Sequence, residues 1–235
     1  MSFLARVLAL TASSCAGASG PVDEPAFARA REAMVAEQIA ARGVRDAQTL
    51  AAMREVPRHL FVPRDLERDA YEDHPLPIGH GQTISQPYIV AFMTEALGLR
   101  GGETVLEVGT GSGYQAAVLS RIAARVFTIE IVPELAADAR ERLIRLGYAN
   151  VTARAGDGYL GWPEEAPFDA IVVTAAAPRV PDPLKVQLKD GGRLVVPVGD
   201  ESQELMVVTR RGATYTESRV LGVRFVPMTG RVRQR

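Results

Sequence analysis

From Thr104 onward the chain alternates short apolar runs with stretches of helical period, and this alternation restricts the fold more than any other feature. Thr104 to Val108, Val126 to Glu130, Asn150 to Ala155 and Phe168 to Ala175 read as strands, with amphipathic helices at Tyr114 to Ala124 and Pro133 to Leu146 between them. The Phe168 to Ala175 run is almost unbroken in its apolar character. That is the pattern of a strand buried on both faces, because crossover helices cover a parallel sheet on both sides. The expected fold class is therefore α/β, a doubly wound and mostly parallel sheet. After Gly191-Gly192 the rhythm changes, and Arg193 to Val198, Leu205 to Arg210 and Tyr215 to Val223 predict antiparallel strands added to one edge.

The N-terminal part is different in kind. Helical periodicity begins near Pro25 with Phe27, Met34, Val35 and Ile39, and ends where Gly43 can cap it. A second helix, Asp46 to Val56, closes before Pro57. Between Tyr71 and Gln86, Pro75, Pro77, Gly79 and Gly81 exclude a regular helix and predict a shaped loop. The expected organisation is residues 1–24 as an extension or weak signal-like segment, followed by a single domain over 25–235. Within it, 25–100 carries the N-terminal helices and the loop, 101–200 the core, and 201–235 the antiparallel strands and a tail containing Arg231, Arg233 and Arg235.

Composition removes several function classes. With 235 residues, 47% hydrophobic and 23% charged, the chain can bury one sizeable core, which excludes disorder for most of it. Lys plus Arg number 27 against 28 Asp plus Glu, and aromatics are 6%, so neither a polyanion footprint nor a base-stacking groove is expected and nucleic acid is not a predicted partner. A lone Cys15 cannot form an intramolecular disulfide, and His59, His74 and His80 lack metal-site spacing, so no metal is expected. No run of about 18 apolar residues exists, so no membrane span is expected. Arg6, the short apolar stretch Val7 to Ala12 and the small residues around Cys15 resemble a weak secretory signal or a poor lipoprotein box, with export or lipid anchoring as the alternative to a cytoplasmic location. The other reading of that segment is an extension or a misplaced start codon.

The clearest chemical feature is Leu106-Glu107-Val108-Gly109-Thr110-Gly111-Ser112-Gly113-Tyr114, at the turn from the first core strand into its helix. Glycines there let a ligand approach the backbone and permit dihedrals that a Cβ obstructs. A nucleoside-triphosphate loop needs Gly-Lys-Ser/Thr, and no lysine is present. A dinucleotide loop needs its third glycine where Tyr114 stands. The order acidic-x-Gly-x-Gly-x-Gly instead resembles the first motif of Rossmann-like S-adenosylmethionine methyltransferases, whose cofactor carries no phosphate. Loop N–H groups from Gly109, Gly111 and Gly113 then suit its carboxylate and Glu107 its ammonium. Glu130, ending the second strand, is placed for the ribose hydroxyls, and Asp157 in Gly156-Asp157-Gly158 for the adenine amino group. The plainer readings are a surface carboxylate for Glu130 and a turn former for Asp157.

Four further segments carry a closer resemblance: Pro77 to Tyr88, containing Gln82-Thr83-Ile84-Ser85-Gln86-Pro87; Pro167 to Pro178; Gly191 to Gly199; and Val223 to Thr229. With the glycine loop they resemble the bacterial type of protein-L-isoaspartate O-methyltransferase over about residues 34–229. The resemblance implies methyl transfer from S-adenosyl-L-methionine to the free α-carboxylate of isoaspartyl residues in damaged proteins and peptides, followed by closure to a succinimide and partial return to aspartate. A carboxylate acceptor is already ionised at neutral pH, so no general base is needed. Catalysis then rests on alignment and on an apolar site for a sulfonium that loses its charge. By the same resemblance Ser85 hydrogen-bonds the acceptor carboxylate, Gln82, Thr83 and Ile84 form the substrate loop, and Thr229 closes over the cofactor. Ser85 also reads as a helix N-cap before Gln86-Pro87, Thr229 as a plain strand-end residue, and His80 as a loop residue. The alternatives in function are a methyltransferase of the same fold acting on a small molecule or RNA, and a non-catalytic binder of damaged protein or cofactor. Oligomeric state is not encoded in any motif, and a monomer is compatible with the sequence.

Overall fold

The computed structural model describes residues 24–233. Helix α1, Glu24–Ala33, continues through a π-helical turn, Met34–Ile39, and a 3₁₀ turn, Ala40–Arg42, to Gly43, whose φ of 100° ends the run as a left-handed cap. Asp46 caps α2, Ala47–Glu55, by accepting from the backbone N–H and hydroxyl of Thr49, both at 2.7 Å. Cys15 and the signal-like segment lie outside the described residues.

The predicted loop between Tyr71 and Gln86 contains regular structure. Leu76–Gly79 (β1) and Gln82–Ile84 (β2) pair as a short antiparallel hairpin. Its tip is Gly79, His80 and Gly81, all at positive φ, so His80 is an exposed turn residue. Prolines and glycines excluded a helix here but left a bulged hairpin open. Helix α3, Pro87–Leu97, follows with Pro87 in its first turn.

The core then runs β3 (Thr104–Val108), α4 (Tyr114–Ser120), β4 (Arg125–Glu130), α5 (Pro133–Arg145), β5 (Val151–Ala155), β6 (Phe168–Val173), α6 (Asp182–Val186), β7 (Leu188–Val198), β8 (Gln203–Arg211) and β9 (Thr214–Val223). The seven-stranded sheet has the order β5-β4-β3-β6-β7-β8-β9. Strands β5 to β7 in that order are parallel, and β8 and β9 are antiparallel on the edge, as expected. Strand order reverses at β3, so the crevice at the carboxyl ends of β3 and β6 is the natural ligand site of such a sheet.

Alternate residues feed two cores. Val105, Val126, Val172 and Val195 face α3, α4 and the N-terminal helices, whereas Leu106, Phe127, Ile171, Leu194 and Val196 face Tyr159, Trp162 and α6. Two boundaries differ most from expectation, and one short helix was not expected. Helix α4 stops at Ser120, because Ala124 and Arg125 already bond the carbonyl of Glu103 at the mouth of β3, and it is buried along its whole length under the N-terminal helices. Gly191-Gly192 lies inside β7, where a Cβ on Gly192 would stand 2.9 Å from the carbonyl oxygens of Asp169 and Lys189. Five-residue α6 is too short to show a period. Among the described residues no helix is long and apolar enough to cross a membrane.

Candidate functional site

Three adjoining clefts open at the carboxyl ends of β3 and β6. The first, about 620 Å³ of empty space, is lined by Gln82, Val108, Gly109, Gly111, Ile129, Glu130, Gly158 and the 226–229 segment. The second, about 320 Å³, lies between Ile84, Ser85, Glu107, Gly109 to Ser112 and Gln115. The third and widest, about 1440 Å³, runs between Ser85, Tyr88, Arg42 and the 221–226 segment. Thr83 and Thr174 line all three, and Ser85 stands where the second meets the third.

Glu107 is fully buried on β3. Its Oε2 accepts from the Thr128 hydroxyl at 2.6 Å, and Thr128 is 2.6 Å from the Thr110 hydroxyl, so with the carboxylate ionised the two threonines relay hydrogen bonds into it. Its Oε1 has no partner. Burial, and to a smaller degree the nearby charge of Glu130, pushes this carboxyl up to about 8, against the Thr128 bond that favours ionisation. An orphaned buried oxygen facing a cleft is the mark of a missing cationic donor, so the residues fit a ligand ammonium.

Glu130 ends β4 almost buried, as a wall of the first cleft and not as a surface carboxylate. Its Oε2 accepts from Gly111 N–H at 2.8 Å and its Oε1 from Val132 N–H at 3.0 Å, so it holds the glycine loop while keeping lone pairs toward the cleft.

The loop itself differs from expectation. Gly109 and Thr110 N–H both donate to the Ile129 carbonyl, Gly111 N–H to Glu130 and Gly113 N–H to Thr110, so four of its N–H groups are already used. Three of them are consumed at the end of β4 and the fourth within the turn itself, leaving close approach as the loop's contribution. A Cβ on Gly109, at φ +99°, would collide with the Thr174 hydroxyl, and one on Gly111 would meet Ile78 at 3.3 Å. Gly113 lines none of the three clefts and caps α4 at positive φ.

Ser85 does not cap α3. Gln86 holds that position without a capping bond, its amide donating instead to the Asp73 carbonyl at 3.0 Å, and the Ser85 hydroxyl has no partner among the described residues. Asp157 behaves as the turn former: Oδ1 accepts from Tyr159 N–H at 3.0 Å, and Oδ2 accepts from Arg231 N–H at 2.9 Å. Its carboxylate does not line the first cleft, although its neighbour Gly158 does. Thr229 is exposed at the cleft rim, after Met228, whose N–H bonds the Ala176 carbonyl at 2.7 Å.

Thr174, Arg42 and Arg224 were not singled out by sequence reasoning. Thr174 follows β6 beside β3, and its hydroxyl donates to the Gly109 carbonyl at 2.6 Å. Its place at the strand-order reversal was the available signal. Arg42 is bonded to Asp73 at 2.8 Å and lies 3.6 Å over the Tyr88 ring, while Arg224 brings a second positive charge to the wide cleft. Among the described residues no cluster could hold a metal ion.

A doubly wound sheet with a lysine-free glycine turn, a buried acid behind it with one oxygen unpaired and a second acid on the next strand is the arrangement of a Rossmann-like methyltransferase. The family described as protein-L-isoaspartate(D-aspartate) O-methyltransferase (PCMT) matches residues 29–233, and the chain belongs to it. It is 60% identical over 210 residues to protein-L-isoaspartate O-methyltransferase 2 of Shewanella sediminis, covering 88% of this chain and 86% of the relative. It is 59% identical over 198 residues to the protein-L-isoaspartate O-methyltransferase of Gloeobacter violaceus, covering 83% and 97%. A solved protein-L-isoaspartate O-methyltransferase superposes with a TM-score of 0.78 at 33% identity, covering 86% of this chain and 67% of the other. A Plasmodium falciparum protein described as a beta-aspartate methyltransferase (PCMT), solved in complex with S-adenosyl-L-homocysteine, gives 0.73 at 26% identity, covering 85% and 98%.

Proposed function

We propose that the chain methylates the free α-carboxylate of L-isoaspartyl residues in damaged proteins and peptides, with S-adenosyl-L-methionine as donor, and so begins their repair through a succinimide. The observation that carries this reading is the meeting of the clefts at Ser85: an uncommitted hydroxyl stands between a small cavity ending on an unpaired carboxylate and a wide cleft open to a polypeptide.

In this reading Glu107 holds the cofactor's ammonium, Glu130 the ribose, and Gly109, Gly111 and Gly158 leave room for it. Bound there, the cofactor supplies a methyl group made electrophilic by its sulfonium. Ser85 donates a hydrogen bond to the acceptor carboxylate and aims one of its lone pairs along the line of transfer. Thr83, Ile84 and Gln82 shape the walls, and Val108, Ile129 and Met228 keep the cofactor cleft apolar. Arg224 at the wide cleft, which Arg42 also lines while paired with Asp73, favours an anionic acceptor. Asp157 supports the adenine side by holding the turn at Gly158 and the rim segment carrying Thr229, which closes over the cofactor. Gly113 starts α4. The reaction belongs in the cytoplasm, where the cofactor is made, and needs no nucleic acid.

The test is incubation with radiolabelled S-adenosylmethionine and two peptides that differ in one aspartyl being normal or isoaspartyl. Base-labile label is expected on the isoaspartyl peptide alone; binding of cofactor with label on neither peptide overturns the acceptor assignment. Glu130→Ala is expected to weaken S-adenosylhomocysteine binding about 100-fold by calorimetry, because two charge-assisted bonds and the anchor of Gly111 are lost together. Unchanged affinity would remove Glu130 from the site.

A further inference from the structure

The small cavity holds a second acceptor oxygen. Gln115, in the first turn of α4, is 7% exposed and lines this cavity together with Glu107 and Ser85. Its amide orientation is dictated by a neighbour. The Thr94 hydroxyl has one proton, which goes to the Val90 carbonyl at 2.8 Å, so its oxygen can only accept from Gln115, and it does so from Nε2 at 2.9 Å. The amide is thereby locked with its NH₂ toward α3 and its carbonyl turned away from Thr94, and the hydrogen bond to Thr94 is made by Nε2, not by Oε1. Glu107 is arranged by the same logic: Thr128 occupies Oε2 and leaves Oε1 unpaired.

The cavity that Glu107 and Gln115 both line carries no lysine, arginine or histidine. Two acceptors without a charged donor make a place for a cation, and a primary ammonium can give one N–H to each and keep the third for water. We propose that Gln115 Oε1 is the second hydrogen-bond acceptor, beside Glu107 Oε1, for the α-ammonium group of the cofactor. Thr94 is then a positioning residue, since it touches Gln115 and not the ligand. This inference rests on the cofactor reading above.

Gln115→Met keeps the length of the side chain and removes its acceptor. Calorimetric titration of the full chain with S-adenosylhomocysteine is expected to show about a tenfold loss of affinity. The analogue lacking only the α-amino group is expected to bind native protein and variant equally. Thr94→Val, which frees the amide to rotate, should cost S-adenosylhomocysteine about threefold and the analogue nothing, with near-ultraviolet dichroism checking that both variants are folded. Equal losses for the two ligands would assign Gln115 to packing alone, and no loss for either would empty the proposal. Should native protein fail to bind S-adenosylhomocysteine at all, the cofactor reading falls first and this inference with it.

Discussion

Glu107→Gln is expected to weaken S-adenosylhomocysteine binding about 100-fold and to make the empty protein more heat-stable at alkaline pH. The first effect follows from removing the charge that faces the ligand ammonium. The second follows from the unpaired oxygen. A carboxyl that ordinarily releases its proton near 4.5 keeps it to about 8 in this fold, chiefly because of burial. Between those values the folded chain holds a proton that the unfolded chain has released, so rising pH favours unfolding across that window, and the full penalty is present above it. The shift corresponds to at most about 5 kcal/mol, and glutamine does not carry it. Thermal melts should therefore coincide near pH 4 and separate by about 5–10 °C in favour of the variant at pH 9. Coincident melts at both pH values would mean that Glu107 is not an uncompensated buried acid. The same proton predicts that cofactor binding below pH 8 releases protons, visible as a buffer-dependent binding enthalpy.

Ser85→Ala is expected to lower kcat for an isoaspartyl peptide by about 10² to 10³, the scale for losing a donor aimed at reacting oxygens. The dissociation constant for S-adenosylhomocysteine and the melting temperature should stay unchanged, because the Ser85 hydroxyl bonds nothing among the described residues and does not cap α3. A parallel fall in stability or cofactor affinity would assign Ser85 to the architecture of the loop instead.

The core was the most legible part of the fold. Apolar runs such as Phe168–Val173 need cover on both faces, and the glycine turn after β3 marks where strand order reverses, so sheet, crevice and cofactor motif could all be read along the chain. Less legible were the β1–β2 hairpin, whose prolines and glycines declare only what it cannot be, and α6, which spans little more than one turn.

Among the site residues, Glu107 and Glu130 were marked by their places beside the glycine turn and at the end of the next strand, and Ser85 by the resemblance of its segment to the family. What only the tertiary structure decided is how each polar group is spent. The loop N–H groups read as free are used within the turn and against the end of β4, Asp157 holds the Arg231 backbone, and the Thr94 hydroxyl takes the Gln115 NH₂. Residue type and local pattern determined where a carboxylate or glycine would stand. Which lone pair or N–H remains unpaired depends on partners tens of residues away, and only packing brings them within 3 Å.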